Sequence, residues 1–297
     1  MGEQWVRRLT LLDCGAKNSL NLRVLFGRFF QKGDAMKMVF WMSFVSFIIL
    51  STFGSQNSAP RAESLTSYGN ADIVRGGLLY DKWYKVPDVK NNQVPESKHP
   101  LYPETAAQTQ KTDGTTWRCK ECHGWDYLGQ QGAYSKGSHF TGIIGVVNSS
   151  SKTPEELNDI IQKDHGYDRF FNEKDALDLI KFIKEGVIDV SSYIDQKTVL
   201  SGNTEEGKKI YFIEQESKGG CAALECHGDD GREVNFKKEP KYEYLGGVSR
   251  RNPQETLHKI RWGQPDEDMT SAVQLGFNIE QQLSILKFLQ TLPKDPR

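Results

Sequence analysis

The length and composition of the chain limit the classes of protein that it can represent. Its 297 residues are enough for two domains of ordinary size. Apolar residues make up 37% of the chain, which is below the usual share for soluble globular proteins, so two such domains are short of side chains to fill their cores. Lys and Arg total 38 against 39 Asp and Glu, a net charge of -1. The chain therefore lacks the overall basic charge with which many proteins bind nucleic acids.

An uncharged apolar segment lies near the N-terminus at residues 38–50, after a stretch that carries several Lys and Arg residues. A membrane-spanning helix needs about 20 apolar residues, whereas the apolar region of a secretory signal has about 7 to 15. We therefore interpret residues 1–54 as an N-terminal extension with a secretory signal, followed by a linker at 55–70. The mature chain is expected in the periplasm or another exported location, with no membrane span after cleavage. An uncleaved anchor is the alternative, because no sharp cleavage motif follows the apolar segment.

Four of the five cysteines form two short clusters, and in each cluster the second cysteine is followed by His-Gly. The clusters read Cys119-Lys-Glu-Cys122-His123 and Cys221-Ala-Ala-Leu-Glu-Cys226-His227. Two structural disulfides would suit the cysteines of an exported protein. Disulfides alone do not explain why a histidine directly follows the second cysteine in both clusters.

The Cys-x-x-Cys-His run of the first cluster is the attachment signature of c-type haem. Two thiols at the start of a helix can add to the two vinyl groups of the porphyrin, and the adjacent imidazole can bind the iron. In the second cluster four residues separate the cysteines, so attachment there through a single thioether stays open. A zinc site would need a second close pair of ligands, and a thioredoxin-like pair would need a strand and a helix around it. We predict two covalently bound haem c groups (iron), held by Cys119, Cys122, His123, Cys221, Cys226 and His227.

A repeat of helix-forming segments surrounds the two clusters. Middle helices are predicted after Thr153 and Asn252, where each capping residue precedes a proline and a glutamate that would close a capping box, Glu156 and Glu255 respectively. The other predicted helices come before each cluster and at the end of each half, where the apolar spacing is helical; they cover residues 73–85, 204–214, 175–184 and 281–290. The chain therefore contains two copies of one helical unit.

The order of these features resembles class I cytochrome c, in which an N-terminal helix, the haem motif, a glycine-rich loop, a middle helix, a sixth-ligand loop and a terminal helix follow one another. The resemblance covers nearly all of the exported chain. It implies an all-α fold of two tandem cytochrome c-like domains, each around one haem, which would fill the core that the side chains leave short. The expected boundaries are domain 1 at 71–190 with an irregular insertion at 87–116, a linker at 191–202, and domain 2 at 203–297.

The supply of donor residues indicates the remaining ligand of each iron. Met269 is the only methionine after position 42, and its loop before the last helix resembles the sixth-ligand loop of the family, so we predict His227 and Met269 for the second iron. No methionine is available to the first iron. His165 lies 42 residues after His123, the same separation as between His227 and Met269, and is the predicted partner of His123. His139 is the alternative, and an open or water-bound iron is a third option.

This ligand set favours an electron carrier over an enzyme. We predict a periplasmic diheme c-type cytochrome that passes single electrons between redox partner proteins, with the bis-histidine haem at the lower potential. The alternative is a haem enzyme, or an electron-transfer subunit of a periplasmic oxidoreductase, that acts on a small inorganic substrate. Catalysis at iron would require an open or displaceable position. A disulfide-linked protein without a cofactor is the third hypothesis.

Overall fold

The chain folds as short helices joined by long loops. The computed structural model describes residues 67–104, 113–213, 220–237 and 240–297. The predicted extension and signal at 1–54 lie outside this part, as do most of the predicted linker at 55–70 and residues 105–112 of the predicted insertion. The described residues are mostly helical, with one short β-ladder, which agrees with the predicted all-α class. Across these same ranges, every helix falls short of the length and apolarity that crossing a membrane requires.

The regular structure of the described residues includes eight α-helices and two strands. The helices are α1 (Ile73–Lys82), α2 (Cys119–His123), α3 (Pro154–Asp159), α4 (Glu173–Lys181), α5 (Thr204–Tyr211), α6 (Leu245–Arg251), α7 (Pro253–Trp262) and α8 (Ile279–Leu289). Strands β1 (Ile194–Asp195) and β2 (Thr198–Val199) pair antiparallel. Wider turns of π type extend α3 over Ile160–Asp164 and α4 over Phe182–Gly186. The helices predicted before the clusters, in the middle and at the end of each half are thus all present.

Polar caps set the starts of the middle helices, and the two halves differ here. The Thr153 side chain accepts from the backbone N–H of Glu156, while the Glu156 side chain accepts from the N–H of Thr153, which confirms the first predicted capping box. The second predicted capping box is wrong. The Asn252 side-chain amide donates to Glu255 Oε2 at 2.5 Å instead of bonding the helix backbone. Asn252 also ends α6, where its N–H donates to the Val248 carbonyl at 2.8 Å, so it adopts a conformation that serves two helices.

In the first half, α1 crosses the terminal helix α4 at Gly76. A Cβ atom at Gly76 would overlap the carbonyl oxygen of Asp178, so this close approach of two helices requires glycine. The backbone N–H of Asp72, which caps α1, donates to the Asp178 side chain at 2.7 Å. Arg75 adds ion pairs to Asp175 at 2.6 Å and to Asp178 at 2.8 Å. Buried carboxylates on α4 therefore hold the crossing in register.

The second half repeats this crossing between α5 and α8. A Cβ atom at Gly207 would overlap the carbonyl oxygen of Ser284. The N–H of Asn203, which caps α5, donates to Ser284 Oγ at 2.8 Å, just as the cap of α1 donates to the side chain at its crossing. In both helices the glycine comes four positions after the cap. The repeat seen in the sequence is therefore reproduced in individual contacts.

The two halves pack against each other through α1 and α7. Trp262, at the end of α7, is buried against Gly77 of α1, where a Cβ atom would overlap the indole ring. His258, also buried, donates from Nε2 to the Gly77 carbonyl at 3.1 Å, and its Nδ1 accepts from the Tyr127 hydroxyl at 2.8 Å. Both halves belong to one compact unit, Asn57–Arg297. The predicted tandem halves thus share an interface.

The predicted linker at 191–202 contains the β1–β2 hairpin. Its inward side chains, Ile194 and Val199, are buried in the core. The Gln254 side-chain amide of α7 donates to the carbonyl of Gln196 in the turn at 2.8 Å. This connection is consequently packed onto the second half instead of acting as a free spacer.

Candidate haem sites

The first cysteine cluster occupies the short helix α2, which begins at Cys119 and ends at His123. Gly124 follows with a φ of 80°, a left-handed conformation that lets the chain leave the helix sharply. Its carbonyl oxygen accepts a hydrogen bond from the Tyr80 hydroxyl at 2.6 Å. Burial raises the pKa of the Cys119 thiol, which contacts the Tyr167 hydroxyl, to about 12. The cluster is thus held between α1 and the loop that follows α3.

The rings of His123 and His165 lie beside each other at this cluster. Their centroids are 6.3 Å apart and their planes are inclined by 40°. His123 Nδ1 donates to the Ile144 carbonyl at 2.7 Å, and His165 Nδ1 donates to the Ile160 carbonyl at 2.8 Å. With the proton on Nδ1, each ring keeps the Nε2 lone pair with which imidazole binds metal. Burial also lowers the pKa of His123 to about 4, so that ring is neutral near pH 7.

The spacing of these two rings is the one expected for an iron between two imidazoles. Imidazole nitrogen binds a metal at about 2.0 Å, so one metal between two Nε2 atoms would space the ring centroids by about 6 Å. The observed separation of 6.3 Å agrees with this value. A porphyrin supplies the other nitrogens, so a haem iron needs only two protein ligands. In the described part of the chain, no group of three or more His, Cys, Asp or Glu residues converges to hold a bare metal ion.

His165 ends the helix that α3 and its π-type extension form. Its backbone N–H donates to the Ile160 carbonyl at 2.9 Å, and its ring bonds the same oxygen. Gly166 follows with a φ of 70° and terminates the helix. Single π-type turns of this kind occur often at functional sites. The local helix end therefore sets both the backbone and the ring of His165.

His139, the alternative candidate for the first iron, lies elsewhere. Its side chain is exposed and stacks on Tyr134, with ring centroids 5.0 Å apart and planes inclined by 19°. Of the two candidates from the sequence, His165 is the one whose ring lies beside His123.

The second cluster lies in a series of turns instead of a helix. Cys119 and Cys122 are three positions apart and share one face of a helix, whereas Cys221 and Cys226 are five positions apart and would not. The Tyr211 hydroxyl donates to the carbonyl of Gly228, directly after this cluster, at 2.6 Å. The wider cysteine spacing thus changes the local conformation but keeps the tyrosine bond of the first half.

His227 of the second cluster is half-buried, with its ring centroid 6.4 Å from that of Phe236. Burial lowers the pKa of His227, which favours the neutral ring. Its Nδ1 atom is buried, and none of the residues that the structure describes bonds it. In the first cluster, by contrast, the corresponding nitrogen, His123 Nδ1, donates a hydrogen bond to the Ile144 carbonyl.

Met269 is half-buried in the loop that follows α7. Burial raises the pKa of the Cys226 thiol, and the charges of Glu225 and Asp268 raise it further. Because the charge of Asp268 acts on this thiol, the part of the loop that directly precedes Met269 lies near the second cluster. The loop is also tied to the first half by an ion pair between Lys85 and Asp266 at 2.8 Å.

His99 also reaches the first site, and no local pattern in the sequence indicates this. It lies in the predicted insertion and is buried, with its ring centroid 6.3 Å from that of His165 and 4.2 Å from that of Trp117. Burial lowers the pKa of His99 to about 4. Such a contact depends on how an irregular segment folds back, which periodicity and capping rules do not describe.

Within the described residues, neither cysteine cluster contains the disulfide that the disulfide hypothesis would require. Cys119, Cys221 and Cys226 are free thiols. A scan against protein-family models, a search of curated proteins and a search of solved structures return no match to this chain. The two clusters, the paired histidines and the repeated helix crossing are therefore the features of this chain that indicate its function.

Proposed function

We propose that this chain is an exported diheme c-type cytochrome that transfers single electrons between redox partner proteins. The observation that carries the proposal is the pair of imidazoles beside the Cys-x-x-Cys-His helix, with ring centroids 6.3 Å apart and both Nε2 lone pairs available. The repeated helix crossing supports a second cytochrome c-like half of the same design. Export rests on the apolar segment at 38–50, which lies outside the described residues.

Each proposed haem has its own set of protein residues. A haem iron in such a site supplies a one-electron couple between Fe(II) and Fe(III). Thioether bonds would hold each group to its cluster, and the histidine of the cluster would bind its iron. The full set is Cys119, Cys122, His123 and His165 for the first haem, and Cys221, Cys226, His227 and Met269 for the second.

The residues around each site would set its potential. The carbonyl oxygens of Ile144 and Ile160 orient the first pair of imidazoles and increase their basicity, which favours the oxidised iron. The Met269 thioether is a soft, neutral donor that favours the reduced iron. The Nδ1 atom of His227 receives no such bond from the described residues. Both differences support a higher potential for the second haem, so we expect the first site to be the electron donor to the second.

A second candidate protein ligand for each iron, His165 for the first and Met269 for the second, favours transfer over catalysis. Catalysis at iron needs an open or displaceable position, which an added ligand can report. We expect carbon monoxide to bind the reduced protein slowly or not at all at either haem. Rapid binding at one haem would support the alternative, a haem enzyme that acts on a small inorganic substrate.

Mass spectrometry of the secreted full-length protein tests the proposal, with expression in a host that matures c-type cytochromes. The denatured wild type should carry the added mass of two haems. The double variant Cys119→Ala/Cys122→Ala should retain one, and Cys221→Ala/Cys226→Ala should retain the other. Absence of haem mass from the wild type would refute the proposal. Alkylation of the denatured wild type distinguishes one thioether from two at the second cluster, since a single thioether would leave either Cys221 or Cys226 as a free thiol.

A further inference from the structure

The irregular segment before the first cluster, residues 87–104, packs onto the loop that carries His165. Four hydrogen bonds run from this segment to backbone carbonyls of the loop. They are Lys90 Nζ to Asp168 at 2.7 Å, Asn91 N–H to Phe170 at 3.1 Å, Asn91 Nδ2 to Arg169 at 3.5 Å, and His99 Nε2 to His165 at 3.1 Å. Residues 87–104 belong to the insertion that is predicted from the sequence. These hydrogen bonds attach the insertion to the loop that carries the candidate ligand His165.

The surroundings of His99 fix its tautomer and its orientation. Its Nδ1 accepts from the N–H of Leu101 at 3.1 Å, so the proton lies on Nε2, which then donates to the His165 carbonyl. Its own N–H donates to Thr116 Oγ1 at 2.9 Å. The ring packs edge to face on Trp117, with planes inclined by 64°. Both ring nitrogens are thus engaged, and His99 does not compete with His165 as an iron ligand.

We propose that His99 is a positioning residue that holds His165 toward the first iron. The inference rests on the proposed function, because it assumes that His165 binds the iron. The Ile160 carbonyl accepts hydrogen bonds from the backbone N–H and from the ring of His165. On the other side, His99 donates to the backbone carbonyl of His165. Bonds on both sides of the residue therefore limit the rotation of its backbone. Loss of the His99 hydrogen bond should therefore let the His165 ring leave the first iron more often.

Two variants of the full-length holoprotein separate the hydrogen bond from packing. His99→Phe keeps an aromatic ring against Trp117 but removes the N–H donor, whereas His99→Gln keeps a side-chain N–H donor. Carbon monoxide should bind the first haem of reduced His99→Phe about three to ten times faster than in the wild type, as expected for loss of one hydrogen bond. His99→Gln should stay within about twofold of the wild type. His139→Phe, at the exposed alternative histidine, should bind as the wild type does.

A further variant, His165→Ala, separates failure of this inference from failure of the proposed ligand. If His165→Ala becomes high-spin at the first haem while His99→Phe binds carbon monoxide at the wild-type rate, His99 does not position the ligand. If the spin state of His165→Ala is unchanged, His165 is not a ligand and the proposed ligand set fails. Should His99→Phe not fold, ¹⁵N NMR of the reduced wild type gives the tautomer of His99. A proton on Nδ1 instead of Nε2 would overturn the inference.

Discussion

The hydroxyl of Tyr80 donates a hydrogen bond to the carbonyl oxygen of Gly124 at 2.6 Å, and Tyr211 bonds Gly228 at the same distance. Each tyrosine stands four positions after the glycine at which its helix crosses the terminal helix of that half. Each acceptor directly follows the histidine of a cysteine cluster. One bond therefore links the helix crossing to the proposed proximal ligand, and the two halves share it although their cysteine spacings differ.

Removing either hydroxyl should destabilise the protein. Tyr80→Phe and Tyr211→Phe each remove a short hydrogen bond from a carbonyl that keeps only a longer backbone N–H donor, at 3.4 Å for Gly124 and 3.3 Å for Gly228. Each variant should lower the free energy of unfolding by about 0.5 to 1.5 kcal/mol. Denaturant titration followed by far-ultraviolet circular dichroism measures this change. Tyr242→Phe is the control, because the Tyr242 side chain is 49% exposed. A loss in this control as large as in the two buried variants would contradict the role of the bonds.

Gly207→Ala should destabilise the second half by about 3 kcal/mol, because the added methyl group would force α5 away from α8. Gly247→Ala in α6 is the matched control, since its nearest atom would be the Lys294 Cβ at 3.7 Å, an ordinary contact. Alanine has the higher helix propensity, so the control should be neutral or more stable by up to about 1 kcal/mol. Thermal unfolding of both variants checks this. Equal stability of the two would mean that α5 and α8 do not approach as closely as described.

Asp81 should make stability depend on acidic pH. Burial would raise its pKa, but Lys259 and Arg118 outweigh burial and lower the pKa from its ordinary value of 3.8 to about 2. Because the folded pKa is depressed, the ionised carboxylate stabilises the protein above about pH 4, and this contribution is lost as the pH falls through 2. We expect a loss of about 2 kcal/mol over this window.

Unfolding free energies of the wild type and Asp81→Asn between pH 5 and pH 2 check the expectation. The variant should be less stable at neutral pH, because Lys259 and Arg118 lose their buried partner. It should also lose stability less steeply with acid than the wild type does. If the free energies of unfolding of the two proteins fell in parallel with pH, Asp81 would be excluded as the source of the acid dependence.

Met269→Ala should lower the reduction potential of the second haem, because it removes the thioether that favours Fe(II). The first haem in the same molecule should keep its potential and serves as the internal control. Spectroelectrochemical titration resolves the two couples. An unchanged second potential would show that another residue binds the second iron.

Local patterns predict the helices because capping and apolar spacing act within a few residues. Thr153 and Glu156 form the predicted capping box since both side chains belong to one helix start. The same pattern is wrong at Asn252, where a preceding helix imposes a different backbone conformation. The burial of a histidine is harder to predict from neighbouring residues than the start of a helix. His258 lies on a predicted helix, yet its burial depends on α1 and Tyr127, which are far away in the sequence.

The cysteine clusters, their histidines and the duplication of one helical unit are visible in the amino-acid order, because the proposed haem attachment and helix formation both need residues at short, fixed spacings. The choice between His165 and His139 is not visible there. It depends on which loop folds back onto α2, and this follows from contacts between segments distant along the chain. The role of His99 is likewise decided by the tertiary structure, since its bond to His165 arises from the packing of an irregular segment against the end of a helix.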